Sequence, residues 1–157
     1  VATRKYRQVS GTVSEAVNAG YSALSWLAEE ARDIVDNAPE GINQTARIHA
    51  FESTMYTLES LDEPDVPSAV ADLLASWCEV QPRGARKPLS RSDRCSNAIV
   101  ALAAAKSVAE EWLADHEPHE SDDEEEQEER DDVEMLVNVL SDAISEAEGV
   151  EFPGMFG

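Results

Sequence analysis

Residues 12–36 read TVSEAVNAGYSALSWLAEEARDIVD. Val13, Val17, Tyr21, Leu24, Ala28, Ala31 and Val35 recur at steps of three and four, which lines them along one face of a helix. The spacing predicts a helix from Thr12 to Asp36, stopped by Asn37-Ala38-Pro39. The same periodicity predicts a second helix from about Glu40 to Leu61, with Ile42, Ala46, Ala50, Met55, Leu58 and Leu61 as its stripe. Pro64 and Pro67 break the chain, because each disfavours helix in the residue before it. A third helix is expected from Ser68 to about Glu79, carrying Val70, Leu73, Leu74 and Trp77.

Residues 81–92, QPRGARKPLSRS, are loop by composition. A fourth helix follows from about Asp93 to Asp115, its buried face made of Ile99, Leu102, Ala105, Val108, Trp112 and Leu113. Alanines 101, 103, 104 and 105 favour helix and leave room for a close neighbour. Glu120 to Asp132 is almost pure acid, and a run with nothing apolar buries nothing, so a solvated loop or frayed helix start is expected there. From Asp131 a fifth helix resumes through Val133, Leu136, Val137, Leu140, Ile144 and Ala147, closed by Gly149. The expected fold is all-α: a compact bundle of four to five helices with an acidic, partly disordered insert before the last helix. Residues 1–11 would be a basic arm and 12–157 one helical domain, with the insert at 117–132 and an apolar tail at 150–157. Trp26, Trp77 and Trp112 all fall on expected helices, and Trp26, off its stripe, is expected to be partly exposed or at an interface.

Charge is unevenly placed. The 157 residues carry a net −21. Residues 1–109 hold 11 basic and 14 acidic groups, whereas residues 110–157 hold 19 acids and a single base, Arg130. That field opposes sequence-independent binding to nucleic acid or to anionic lipid. Arg83, Arg86, Lys87, Arg91 and Arg94 form a basic cluster, but no aromatic residue accompanies it for base stacking, so no direct nucleic-acid binding is expected. No membrane span and no signal-peptide pattern are read, which points to the cytoplasm.

Enzymatic motifs are missing: there is no Walker loop, dinucleotide glycine fingerprint, nucleophile elbow or HExxH. Acids are so many that any pair suited to acid–base work is uninformative, and the chain is read as no enzyme. Cys78, Cys95, His116 and His119 could compose a Cys2His2 set, yet the cysteines lack the close knuckle spacing of structural zinc. Two buried thiols and two solvated histidines are the preferred reading, with neither metal nor cofactor.

The acidic segment itself has a specific physical use. Carboxylates one helical turn apart stand about 5–6 Å from each other, on the scale of neighbouring phosphates. If residues 120–134 become helical, Asp122, Glu125, Glu129 and Asp132, with Glu124 and Glu128 beside them, form a row that imitates a DNA strand. Phe152, Met155 and Phe156 of the tail would add apolar anchoring.

Three stretches, Leu27-Ala28-Glu29-Glu30-Ala31-Arg32-Asp33 running into Asn37-Ala38-Pro39-Glu40, Thr57-Leu58-Glu59-Ser60-Leu61 before Pro64, and the Phe-Pro-Gly-Met-Phe end, resemble the small acidic helical proteins of tailed bacteriophages. The resemblance implies a bacterial cytoplasmic setting during infection and host takeover. It suggests an inhibitor that binds a basic DNA-handling host protein, a restriction enzyme or repair glycosylase, by DNA mimicry. The alternative is a structural or assembly protein, a phage particle component or adaptor, that uses apolar helix faces. On either reading a homodimer is open.

Overall fold

Thr12 links the two kinds of structure in this chain. It ends a strand, and its side chain starts a helix, accepting from the Glu15 N–H at 3.1 Å while the Glu15 carboxylate accepts from the Thr12 N–H at 3.4 Å. Such a reciprocal cap satisfies two otherwise orphaned donors and stabilises by about 1 kcal/mol. The computed structural model describes residues 4–42, 45–84 and 88–153. In chain order the elements are β1 (Tyr6–Thr12), α1 (Val13–Asp36), α2 (Ala46–Glu59), α3 (Ser68–Ala71), β2 (Leu74–Val80), α4 (Arg91–Asp115) and α5 (Glu124–Glu148).

The described chain is thus mostly helical (63%) but not purely all-α: five helices accompany a two-stranded antiparallel sheet. The sheet corrects two expectations at once. Residues 6–12 are no free basic arm, and the third helix stops at Ala71, after which Leu74–Val80 runs as β2. Val9 pairs with Trp77, and the ladder extends to the Val13 N–H, which donates to the Leu73 carbonyl at 2.9 Å. The apolar positions 73, 74 and 77 fit a helical step, but Ala75 and Trp77 alternate with exposed Leu74, Ser76 and Cys78, the period of a half-buried strand. Trp77 is therefore buried from a strand, and Cys78 stands on the outer face of the sheet, so the buried-thiol expectation fails there and holds for Cys95.

The second helix also starts later than its stripe suggested. Gly41 turns the chain with φ +90°, a conformation that L side chains rarely adopt, and Thr45 then caps α2. Ile42 is left exposed before it.

The core lies where α1, α4 and α5 meet. Leu24 and Leu27 of α1, Leu102 of α4, and Val133, Leu136 and Leu140 of α5 are all buried. The α1–α4 seam is built from small residues. A Cβ on Gly20 would stand 2.5 Å from Leu102 Cδ2 and 3.2 Å from the Ala98 carbonyl. Ala98, Ala101, Ala105 and Ala109 line the buried side of α4; of the expected alanine run Ala103 is exposed, and of the expected face Ile99, Val108, Trp112 and Leu113 are only half-buried. A smaller cluster, Ala31, Phe51 and Met55, closes the far end and is covered by Phe152.

Candidate docking surface

The acid run does not stand apart as an insert before the last helix. Glu124–Asp132 form the first turns of α5, and Val133 is its first buried residue. Asp123 caps the helix by accepting from the Glu126 N–H at 2.9 Å. Glu124, Glu125 and Glu126 fill the first turn, where the positive end of the helix dipole favours carboxylates. These terms offset like-charge repulsion of a few tenths of a kcal/mol per i,i+4 pair.

Of the expected row, Glu124, Glu125, Glu128, Glu129 and Asp132 are exposed on this helix. Asp122 is not part of it. It precedes the cap and is half-buried, accepting from the His119 N–H at 2.6 Å and pairing with Arg130 at 3.0 Å. The His119 N–H bond, helped by Arg130, holds the Asp122 carboxyl below its ordinary range. Its hydrogen bond to Glu126, with the charge of Asp123, pushes Glu126 up. The lone base of the segment is thereby occupied locally, and eleven carboxylates of α5 face that single arginine.

Among the described residues, no basic group outside α5 pairs with this helix. Among the described residues, Arg4 pairs with Asp93 at 2.7 Å, Arg94 with Glu30 at 2.7 Å and Arg32 with Glu59 at 2.7 Å, all within the nearly neutral part of the chain. Arg86 and Lys87 lie outside the described residues.

The tail supplies no free anchor that the structure describes. Phe152 packs against both apolar clusters, and the segment before it is clamped by buried Thr54, whose hydroxyl donates to the Glu151 carbonyl at 2.7 Å and accepts from the Glu151 N–H at 3.2 Å. Met155 and Phe156 lie outside the described residues. The exposed apolar group on α5 is Met135, 65% accessible, one turn beyond Asp132. Periodicity could have found it, since it falls off the 133, 136, 140 stripe.

The cysteines and histidines are dispersed. Cys95 opens α4 and His116 follows its end, about 30 Å away at 1.5 Å per residue. Burial pushes the Cys95 thiol up to about 11. His116 stacks on Trp112 at 4.1 Å, and its Nδ1 lies 2.8 Å from the Trp112 carbonyl. Among the described residues, no three His, Cys, Asp or Glu side chains gather as metal ligands, and no helix is long and apolar enough to cross a membrane.

A second surface surrounds Trp26, whose place off the stripe predicts exposure. Trp26 is 66% exposed beside an open cavity of about 540 Å³, formed where the outer face of α1 meets residues 61–63. Comparison with protein-family models, with curated proteins and with solved structures finds no match to this chain.

Proposed function

We propose that the protein is a non-enzymatic inhibitor that occupies the basic DNA-binding cleft of a bacterial DNA-handling enzyme, with the first turns of α5 taking the place of a DNA strand. One observation carries the reading: Glu124, Glu125, Glu128, Glu129 and Asp132 are exposed on a helix whose one arginine is engaged by Asp122. Successive turns space carboxylates about 5–6 Å apart, so arginines and lysines set to receive phosphates could receive them instead. Uncompensated charge steers association and makes it salt-sensitive. Met135 offers an exposed apolar contact beside the row, which Phe152, packed against both apolar clusters, does not. A phage-encoded protein acting in the host cytoplasm fits this use.

A second reading, an assembly protein, draws on a different surface. Leu74 and Tyr6 are 78% and 62% exposed on the outer face of the sheet, whereas the helical stripes are consumed by the core. Contacts there would be apolar and indifferent to salt.

The deciding experiment is a pull-down from bacterial lysate with the intact chain and with a variant carrying E124Q, E125Q, E128Q, E129Q and D132N, which keeps the helix and removes the charge. Mimicry predicts that the intact chain alone captures DNA-handling proteins, and that both high salt and added duplex DNA release them. Capture of the same proteins by both forms, unaffected by salt or DNA, overturns it in favour of the assembly reading.

A further inference from the structure

In a two-stranded sheet both strands are edges, and the backbone groups of each face β2 or β1 on one side and solvent on the other. The Gln81 N–H donates to the Lys5 carbonyl and the Val13 N–H to the Leu73 carbonyl, both at 2.9 Å, which fixes the phase of the ladder. In that phase Lys5, Arg7, Val9 and Gly11 turn their backbone groups towards β2, and Tyr6, Gln8, Ser10 and Thr12 turn theirs away. Two outward positions are already taken. The Thr12 N–H donates to the Glu15 carboxylate at 3.4 Å, and on β2 the Asn97 side chain of α4 takes the N–H and the carbonyl of Val80 at 2.8 and 3.1 Å. Among the described residues the outward N–H and C=O groups of Tyr6, Gln8 and Ser10 bond to no other part of the chain. All three residues are exposed, and no bulge interrupts the register. The outer face, made of the even positions of both strands, carries no charged residue, although 29% of the chain is charged. Free edges are usually blunted by charge, proline or a bulge, because they template pairing with another strand.

Two unpaired charges decide which strand fits. Lys5 and Glu15 take part in no ion pair among the described residues. Glu15 Oε2 lies 3.4 Å from where a Cβ on Gly11 would stand, so the carboxylate fills the place of the side chain that Gly11 lacks. Lys5 and Gly11, both odd positions, share one face of the strand. We propose that the protein forms a two-fold dimer by antiparallel pairing of β1 with β1 of a second copy, centred on Gln8, which joins two sheets into one of four strands. That register sets Tyr6 against Ser10 of the second copy and Gln8 against Gln8, so every free N–H and C=O group of these residues finds a partner. It also sets Lys5 against Gly11 of the second copy, where the Glu15 carboxylate waits, and symmetry repeats the pair. Shifting the register by two residues separates them. Arg4 and Arg7, the other bases near this edge, are held by Asp93 at 2.7 Å and Glu79 at 3.6 Å, so no uncompensated like charges meet across the axis. The edge of β2 offers no such match: centred on Ser76, it would set Glu79 against Leu73, and Val80, already taken by Asn97, against Asp72. The dimer goes beyond both functional readings, since neither requires it.

The test combines sedimentation with amide hydrogen exchange on the full chain at about 0.15 M salt, where a Debye length of about 8 Å screens the long-range repulsion of two acidic chains. We expect a reversible, concentration-dependent dimer. As it forms, the Gln8 and Ser10 amides should gain protection, whereas the Arg7 and Val9 amides, bonded within the sheet, are protected at every concentration. Gln8→Pro removes an outward N–H that the β1–β2 ladder does not use, and should leave a folded monomer. Lys5→Gln leaves the backbone alone and removes both symmetry-related charge pairs, so it should weaken the dimer by about fivefold. The α5 variant with five neutralised acids should dimerise at least as tightly as the intact chain. A chain that stays monomeric at millimolar concentration overturns the proposal and leaves the edge to a strand of a different protein. A dimer in which Gln8 and Ser10 exchange as freely as in the monomer, or which Lys5→Gln leaves unchanged, overturns it too. None of these results bears on whether α5 binds a basic cleft.

Discussion

α4 and α5 are helices of equal length, 25 residues each, built on opposite terms. α4 is held by packing along nearly its whole run: Cys95, Ala98, Ala101, Leu102, Ala105 and Ala109 are buried, and Asp93 and Arg94 in its first turn are paired with Arg4 and Glu30. α5 buries nothing before Val133, so its first turns depend on the Asp123 cap, the helix dipole and the Arg130–Asp122 pair. One helix derives its stability from neighbours, which fixes it. The other presents a charged face that no neighbour among the described residues engages, which leaves it available. The difference separates the positions where substitution should unfold the protein from those where it should change only what the protein binds.

The largest effect expected is at Leu102, fully buried on the side of α4 that faces Gly20 of α1. Leu102→Ala should lower stability by about 2–5 kcal/mol in urea denaturation, whereas Glu128→Gln, exposed on α5, should stay within about 0.5 kcal/mol. Equal effects would erase the distinction between the helices. Next comes Gly20→Ala. Helix propensity favours alanine by about 1 kcal/mol, but a Cβ 2.5 Å from Leu102 Cδ2 forces the seam apart. Overpacking costs about 1–3 kcal/mol, so the net result should be destabilising, and a gain would mean the seam is looser than its geometry. Thr54→Val follows. It keeps the shape and removes both bonds to Glu151, leaving those backbone groups unmatched, at a cost of about 1–3 kcal/mol. Amide exchange at Glu151 and Phe152 should rise with it, while the α4 amides stay protected.

The sequence made the packed helices legible because burial on one face writes a three-to-four periodicity. α1 begins and ends where Val13 to Val35 said, and α4 within two residues of the expected start. β2 was hidden because Leu73, Leu74 and Trp77 satisfy a helical step and a strand alternation alike, and its partner β1 lies on the far side of three helices in the chain. Long-range pairing of that kind leaves little local trace. The start of α5 was hidden for a different reason: a helix that buries nothing shows no periodicity. Its signal was instead the Asp123 cap with Glu126 three residues on. Within the candidate site, the type of chemistry was readable from the acid run, but not which acid would be withdrawn. Asp122 is taken by Arg130 and the His119 N–H, a contact set by the turn from α4 into α5. The Trp26 groove needed residues 61–63 brought against α1, which no local pattern encodes.

The smallest effect expected sharpens the contrast at the start of α5, where Glu126 is exposed and Asp122 is half-buried beside Arg130. Asp122 is held below its ordinary range, first by the His119 N–H, so what it contributes is complete above about pH 4 and is lost as pH falls through its lowered folded value. Glu126 is displaced upward, first by its hydrogen bond with Asp122, and the sign reverses: what it contributes is present at low pH and lost as pH rises through its raised folded value. On acidification Glu126 should therefore take its proton before Asp122, removing one like charge from the first turn and donating a hydrogen bond to its neighbour. Carboxyl carbon titration by NMR separates the two steps. Asp122→Asn should bring Glu126 down toward the ordinary glutamate range and, by loosening the half-buried pair with Arg130, lower stability by no more than about 1 kcal/mol. An unchanged Glu126 would show that the two carboxyls titrate independently. A large loss of stability would show that the first turn of α5 is held as α4 is held, and the comparison between the two helices would fail at the place where it is most exposed.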